Sequence, residues 1–279
     1  MFGRRPDGRR VKNMDPIVRM TPHIMPKRYD AQVMVERQID YEPIKAYLRQ
    51  KRDEGVKLTH MDVIIAAYLR LLKKRPEFNR FIVNRNFYQR NEMTVSLTIL
   101  KNKSEDGVIN ETVIKVKFSP EDTIFDVSRK MNDAILANKV VETKNFADKL
   151  ARFFAALPII PGAIIGFLKF LDRYGLLHKA ILDALPFHTS LFITNMASIK
   201  MGAVFHHIYD FGTTSVFISI GQKESKLELD RDNNVVKKSY IPLGAVIDER
   251  ICSGAVYAMG FNYFDRLLKN PAVLESIEN

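Results

Sequence analysis

Thr189-Ser-Leu-Phe-Ile-Thr-Asn195 and Ser215-Val-Phe-Ile-Ser-Ile-Gly221 are two short runs rich in β-branched and aromatic residues. Both read as strands, and with Tyr240–Ile247 they form the strand-rich last third of the chain. Downstream, Gly254–Leu268 reads as a helix that ends before Pro271. Upstream, Asp122–Lys139 is helical, with Ile124, Val127, Met131, Ala134 and Ile135 at helical spacing. Thr112–Phe118, Thr94–Leu100, Asn86–Arg90 and Gln32–Gln38 read as further strands. Tyr41–Glu54 reads as a helix closed by Gly55. A stronger helix follows, capped by Thr59 with Asp62 at its third position, carrying Val63, Ile64, Ala67, Tyr68, Leu71 and Leu72, and stopped by Pro76. Without strict strand–helix alternation, the class is α/β with a large mixed sheet.

The 279 residues suffice for one large domain or two small ones, and no repeat is evident. Residues 1–29 are basic, contain Pro6, Pro16, Pro22 and Pro26, and read as an extended arm before a domain spanning 30–279. The start is basic but lacks the apolar run of a secretory signal. One cysteine, Cys252, rules out an internal disulfide and a cysteine-rich metal site, and fits a cytoplasmic location. The net charge of +11 favours anionic partners such as a nucleotide-bearing cofactor or an anionic bilayer. Nucleic acid is not expected, because no recognition motif or aromatic–basic interleaving accompanies the charge.

Several segments, in order, resemble the catalytic domain of 2-oxoacid dehydrogenase (dihydrolipoamide) acyltransferases, in the chloramphenicol acetyltransferase-like superfamily. Lys57-Leu-Thr-His-Met-Asp-Val-Ile-Ile-Ala-Ala67 is similar to that family's helix start, and Pro76-Glu-Phe-Asn79 to its Pro-x-x-Asn turn. Phe192-Ile-Thr-Asn-Met-Ala197 resembles Phe-Thr-Ile-Ser-Asn-Leu-Gly, and Val216-Phe-Ile-Ser-Ile-Gly221 resembles Ala-Ile-Leu-Gly-Val-Gly. Asp248-Glu-Arg-Ile-Cys-Ser-Gly254 falls where the family has Asp-His-Arg-x-x-(Asp/Asn)-Gly. Nothing upstream resembles a lipoyl domain.

The resemblance implies a homotrimer or a multiple of it, with the active site between subunits. Coenzyme A or an acyl-CoA would be the substrate and no metal would take part. In the family the motif histidine takes a thiol proton, the thiolate attacks the acyl carbonyl, and a strand hydroxyl stabilises the oxyanion. Here Thr194 keeps the hydroxyl, but Glu249 replaces the histidine and Ser253 the Asp/Asn.

A free carboxyl, pKa ~4.3, is a poor match for a thiol near ~8.5, yet burial raises carboxyl values by up to ~3–5 units. Two readings of Glu249 therefore stay open: a desolvated base, or a structural carboxylate paired with an arginine such as Arg250. His206 and His207, in the loop Met201–Asp210, are alternative bases, and His188 is a weaker one. Asn195, Arg250 and Tyr209 are candidate substrate contacts. Cys252 reads as a buried filler. Two functions remain: CoA-linked acyl transfer with a non-standard base, or an inactive homologue that binds acyl-CoA or serves as an assembly scaffold.

Between about 144 and 188 the chain departs from the family with an apolar insertion expected to be helical. Phe153–Leu168 carries no charge, but it is shorter than the ~20 residues of a span and is broken by Pro158, Pro161 and Gly162. Its helices either pack on the protein or a trimer neighbour, or make peripheral contact with a membrane aided by Lys149, Arg152, Lys169, Arg173 and Lys179.

Overall fold

A computed structural model describes residues 4–101, 111–139 and 161–277. In chain order the strands are β1 (Gly8–Arg10), β2 (Gln32–Asp40), β3 (Arg80–Val83), β4 (Asn86–Arg90), β5 (Met93–Leu100), β6 (Glu111–Phe118), β7 (Leu191–Asn195), β8 (Val216–Ile220), β9 (Glu224–Leu229) and β10 (Val235–Asp248). The helices are α1 (Pro16–Ile24), α2 (Tyr41–Asp53), α3 (His60–Lys74), α4 (Ile124–Lys139), α5 (Pro161–Tyr174), α6 (Lys179–Ala184) and α7 (Gly254–Lys269).

Seven strands form one mixed sheet in the order β2-β10-β8-β7-β5-β6, with β9 added to the far end of β10. The β5–β7 and β7–β8 pairs are parallel and the others antiparallel. Alternation along the strands separates two faces. Leu191, Ile193, Val216, Ile218, Leu243, Ala245 and Ile247 join the main core with α3 and α7. The central α3 begins with the expected capping box, in which Thr59 and Asp62 satisfy each other's backbone donors. Such a cap is worth ~1 kcal/mol.

The opposite face carries Phe192, Phe217 and Val246, covered by Ile208. Residues 203–208 run over this face as a strap. A Cβ on Gly221 would collide with Ala203, and one on Gly244 with the Val204 carbonyl, so glycine at both places admits the strap. Ser219 Oγ bonds the Val204 backbone and fixes its height.

The N-terminal segment is not the extended arm expected. β1 pairs with β4, and Asp15 caps α1 with Pro16 at its first position. Arg5 is buried, donating to both Asp7 (2.8 Å) and Asp172 (2.7 Å). A buried guanidinium needs such partners; Asp7 belongs to the segment itself, but Asp172 lies in α5, so the Arg5–Asp172 bond docks the segment on the body. Of the apolar insertion, α5 and α6 are helical as expected, whereas residues 144–160, Lys149 and Arg152 among them, lie outside the described residues. Among the described residues no helix is long and apolar enough to cross a membrane.

Candidate functional site

The sheet ends that carry the motif residues are built very differently. At the C-terminal end of β10, Asp248 is fully buried (0% exposed). It accepts from Arg250 Nε (2.8 Å) and Nη2 (2.7 Å) and from the Arg250 amide (3.2 Å). Arg250 Nη1 donates to the Met25 carbonyl (2.9 Å), and Tyr257 donates to the Asp248 carbonyl (2.7 Å). Arg28 Nε stands 3.7 Å from Asp248, while its Nη1 donates to the carbonyls of Tyr209 and Gly212. Burial pushes the Arg28 guanidinium below its ordinary value, with Asp248 acting in the opposite sense. Arg250 is thus part of the frame that sets the motif, and its partner is Asp248, not Glu249.

Glu249 projects from this clamp into solvent, so a single chain does not withdraw it from water. Ser253 is also exposed; it occupies the N-cap position of α7 without a side-chain capping bond. Cys252 is buried, and burial pushes its thiol up to about 12, which leaves it unreactive. A cavity of about 350 Å³ opens beside the motif, lined by Arg28, Ile82, Phe211 and Arg250 among others.

The other end of the sheet holds Thr194 and Asn195. Thr194 is 8% exposed and lies on the strap-covered face, two residues beyond Phe192. Its Oγ1 is buried without a hydrogen-bond partner, as is Asn195 Oδ1. Leaving a buried polar group unpaired costs ~1–3 kcal/mol, so the Thr194 hydroxyl marks a place on the strap face built to receive a polar group, while Asn195, next along the strand, alternates to the other face.

Strand register sets the separation of the two ends. Thr194 pairs with Ser219, and Ser219 with Gly244. Glu249 lies five residues beyond Gly244. At ~3.3 Å per residue and ~4.8 Å per strand, the two are roughly 19 Å apart in one chain. The motif residues therefore do not meet within a protomer.

The strap brings an imidazole closer to Thr194. His206 stacks on Phe217 (4.7 Å), which stacks on Phe192 (4.7 Å). Its Nε2 is buried without a partner, and burial, then His207, lower its proton affinity. His207 is exposed. The exposed Tyr209 ring packs against Phe187 (4.7 Å), and its carbonyl receives Arg28.

His188 belongs elsewhere: its Nε2 is 3.2 Å from Asp172, in the buried cluster that docks Arg5. Burial alone would raise the Asp172 carboxyl, but His188 and Arg5 together hold it down to about 2. With the folded value below the unfolded one, this carboxylate adds stability above pH ~4, about 2 kcal/mol in full, lost as pH falls towards 2. Urea unfolding between pH 5 and pH 2 is expected to show that loss in the parent and a flatter profile in Asp172→Asn.

Sequence reasoning missed Arg28, because a buried arginine and a solvated one look alike in a local window. It also missed Ser219 as the residue that seats the strap.

No protein-family model matches the sequence, and no curated protein matches it. Solved structures do. The cubic core of the pyruvate dehydrogenase multienzyme complex superposes with a TM-score of 0.57 at 13% identity, covering 95% of this chain and 94% of that one. A probable dihydrolipoamide acetyltransferase from Listeria monocytogenes 4b F2365 gives 0.55 at 14% identity, covering 94% of each chain. A chloramphenicol acetyltransferase gives 0.53 at 10% identity, covering 94% and 99%. At these identities the likeness is one of fold: the chain has the chloramphenicol acetyltransferase-like fold expected from its motifs.

Proposed function

We propose that the protein is a CoA-linked acyltransferase whose active site is composed from two protomers of a trimer. Thr194 of one protomer would face Glu249 of its neighbour. The observation that carries this reading is the unpaired, buried Thr194 hydroxyl, set at the opposite end of the sheet from the motif whose Glu249 replaces the family's base. Two half-sites that cannot meet in one chain are complementary across an interface.

In this reading the thiol proton of coenzyme A passes to the Glu249 carboxylate as the thiolate attacks the acyl carbonyl. Thr194 donates to the oxyanion of the tetrahedral intermediate, which collapses to acyl-CoA as the leaving group takes the proton back. Covering Glu249 with a neighbour would supply the desolvation a thiol-accepting carboxylate needs. The rigid Asp248–Arg250 clamp would hold it in place.

A second reading is favoured by His206, whose unpartnered Nε2 lies on the Thr194 face of the same chain. It would place the base in the strap. A third, an inactive homologue that binds acyl-CoA or acts as a scaffold, rests on the loss of the motif histidine.

The direct test is light scattering with calorimetry of coenzyme A. A trimer or its multiple is expected, with heat of binding that weakens as salt rises, because the ligand's phosphates meet a protein of net charge +11. A monomer at micromolar concentration removes the composite site. No heat and no thermal shift at millimolar ligand removes both the enzyme and the acyl-CoA-binding readings.

A further inference from the structure

Two helices at the surface keep apolar faces uncovered. On α1, Ile17 (79% exposed), Met20 and Ile24 (74%) share one face at i, i+3, i+7 spacing, while Val18 on another face packs into the core. On α5, Phe167 (60%) and Phe170 are exposed roughly 60° apart on one side, Ile165 is exposed on another, and within 162–174 Asp172 alone is buried, held by Arg5. A helix normally buries such a face, so these two are surfaces built to be covered.

What lies between them identifies the cover. A groove of about 470 Å³ is lined by Arg10, Lys12, Arg19, His23 and Arg85, without a carboxylate. Arg85, in the β3–β4 turn, also lines the cavity on its other side, where Lys27, Lys169 and Arg173 join it together with Asp172 and Asp210. Asp172 is held by Arg5 and Asp210 by Lys169 (3.3 Å), so Arg85 connects the α1 flank to the α5 flank in a surface with basic side chains in excess. Lys12, Arg19 and Arg85 have no carboxylate partner among the described residues. With 43 basic and 32 acidic residues, a second copy offers this groove a surface of the same net sign, so copies that associate elsewhere on the chain leave the groove uncompensated. An anionic bilayer presents the opposite sign to the groove and an apolar layer to the helices.

We propose that α1, α5 and the cationic surface between them form a docking site for an anionic lipid bilayer, the two apolar faces entering the headgroup boundary. The α5 flank borders the cavity beside the motif, but flotation is read without turnover, so its test and that of the catalytic reading fail separately.

The test is flotation of the full chain with vesicles of phosphatidylcholine alone and of phosphatidylcholine mixed with phosphatidylglycerol. Flotation with the mixed vesicles only is expected, weakening with salt. Removing two surface charges, in Arg19→Ala with Arg85→Ala, should lower the partition by about thirtyfold, at ~1 kcal/mol per charge. Ile17→Ser with Phe167→Ser should lower it as well, and circular dichroism melts check that each variant folds. The proposal is overturned if the parent floats with neither vesicle, or if the charge variant floats as well as the parent. It is also overturned if the serine variant changes the oligomeric state and leaves flotation intact, which would assign the face to a second copy. Binding to duplex DNA that the charge variant loses, without flotation, would reassign it to nucleic acid.

Discussion

Glu249→Gln is expected to lower CoA-dependent acyl transfer by about 10²–10⁴-fold, because it keeps the shape of the side chain and removes the proton acceptor. Thr194→Val should lower it by about 10²–10³-fold, the usual loss for one oxyanion donor, with affinity for coenzyme A nearly unchanged. The two-protomer site makes a sharper demand. Trimers co-assembled from Glu249→Gln and Thr194→Val protomers contain some interfaces at which both wild-type groups meet, so part of the lost rate should return on mixing. A base within the same chain gives no such return. If turnover survives Glu249→Gln, collapses in His206→Ala, and mixing His206→Ala with Thr194→Val restores nothing, the base is in the strap. If the parent shows no turnover with any acyl-CoA, the homologue is inactive, and Glu249→Gln registers only as a change in melting temperature. Glu249→His with Ser253→Asp writes in the motif that the sequence resembles, and a gain of acetyl-CoA-dependent transfer would show the proposed site to be competent.

Arg250→Met should be among the most destabilising single changes in the chain. The methionine fills most of the arginine's stem but leaves Asp248, fully buried, with Arg28 at 3.7 Å as its nearest cation. Removing one partner of a buried pair costs ~3–5 kcal/mol, because the remaining charge has lost its compensation. At roughly 2–4 °C per kcal/mol for a domain of this size, the melting temperature should fall by about 10 °C. The double change Asp248→Asn with Arg250→Met should recover part of this, since the unpaired carboxylate is then gone. A melt displaced by under ~1 kcal/mol would mean that the clamp is not what holds the motif.

Much of the local structure is legible in the sequence. β4 spans Asn86–Arg90 as read, β5 and β6 each begin one residue earlier, and the Thr59–Asp62 box caps α3. The elements that escaped have weak local signals. α1 opens with Asp15 and Pro16, a sound start signal, but the four prolines of residues 1–29 argue for an extended chain. β3 is four residues long, and its turn into β4 places Asn84 and Arg85 at positive φ without a glycine to announce it. β9 reads Glu-Ser-Lys-Leu-Glu-Leu, with Leu227 and Leu229 exposed, so it lacks the buried face by which a strand is recognised.

By itself the sequence determined the periodic elements, the order of the resembling segments and the glutamate at 249 where that resemblance has a histidine, because each is written within a few adjacent residues. Tertiary structure alone decided which residues share a site. Thr194 and Glu249 part company through the β7–β8–β10 register, which joins residues 25 positions apart in each pairing. Arg28 becomes a buried partner of Asp248, and Arg250 its clamp, only because distant segments close over them. Whether a charge is solvated or buried is a property of neighbours brought by folding, and no local window contains them.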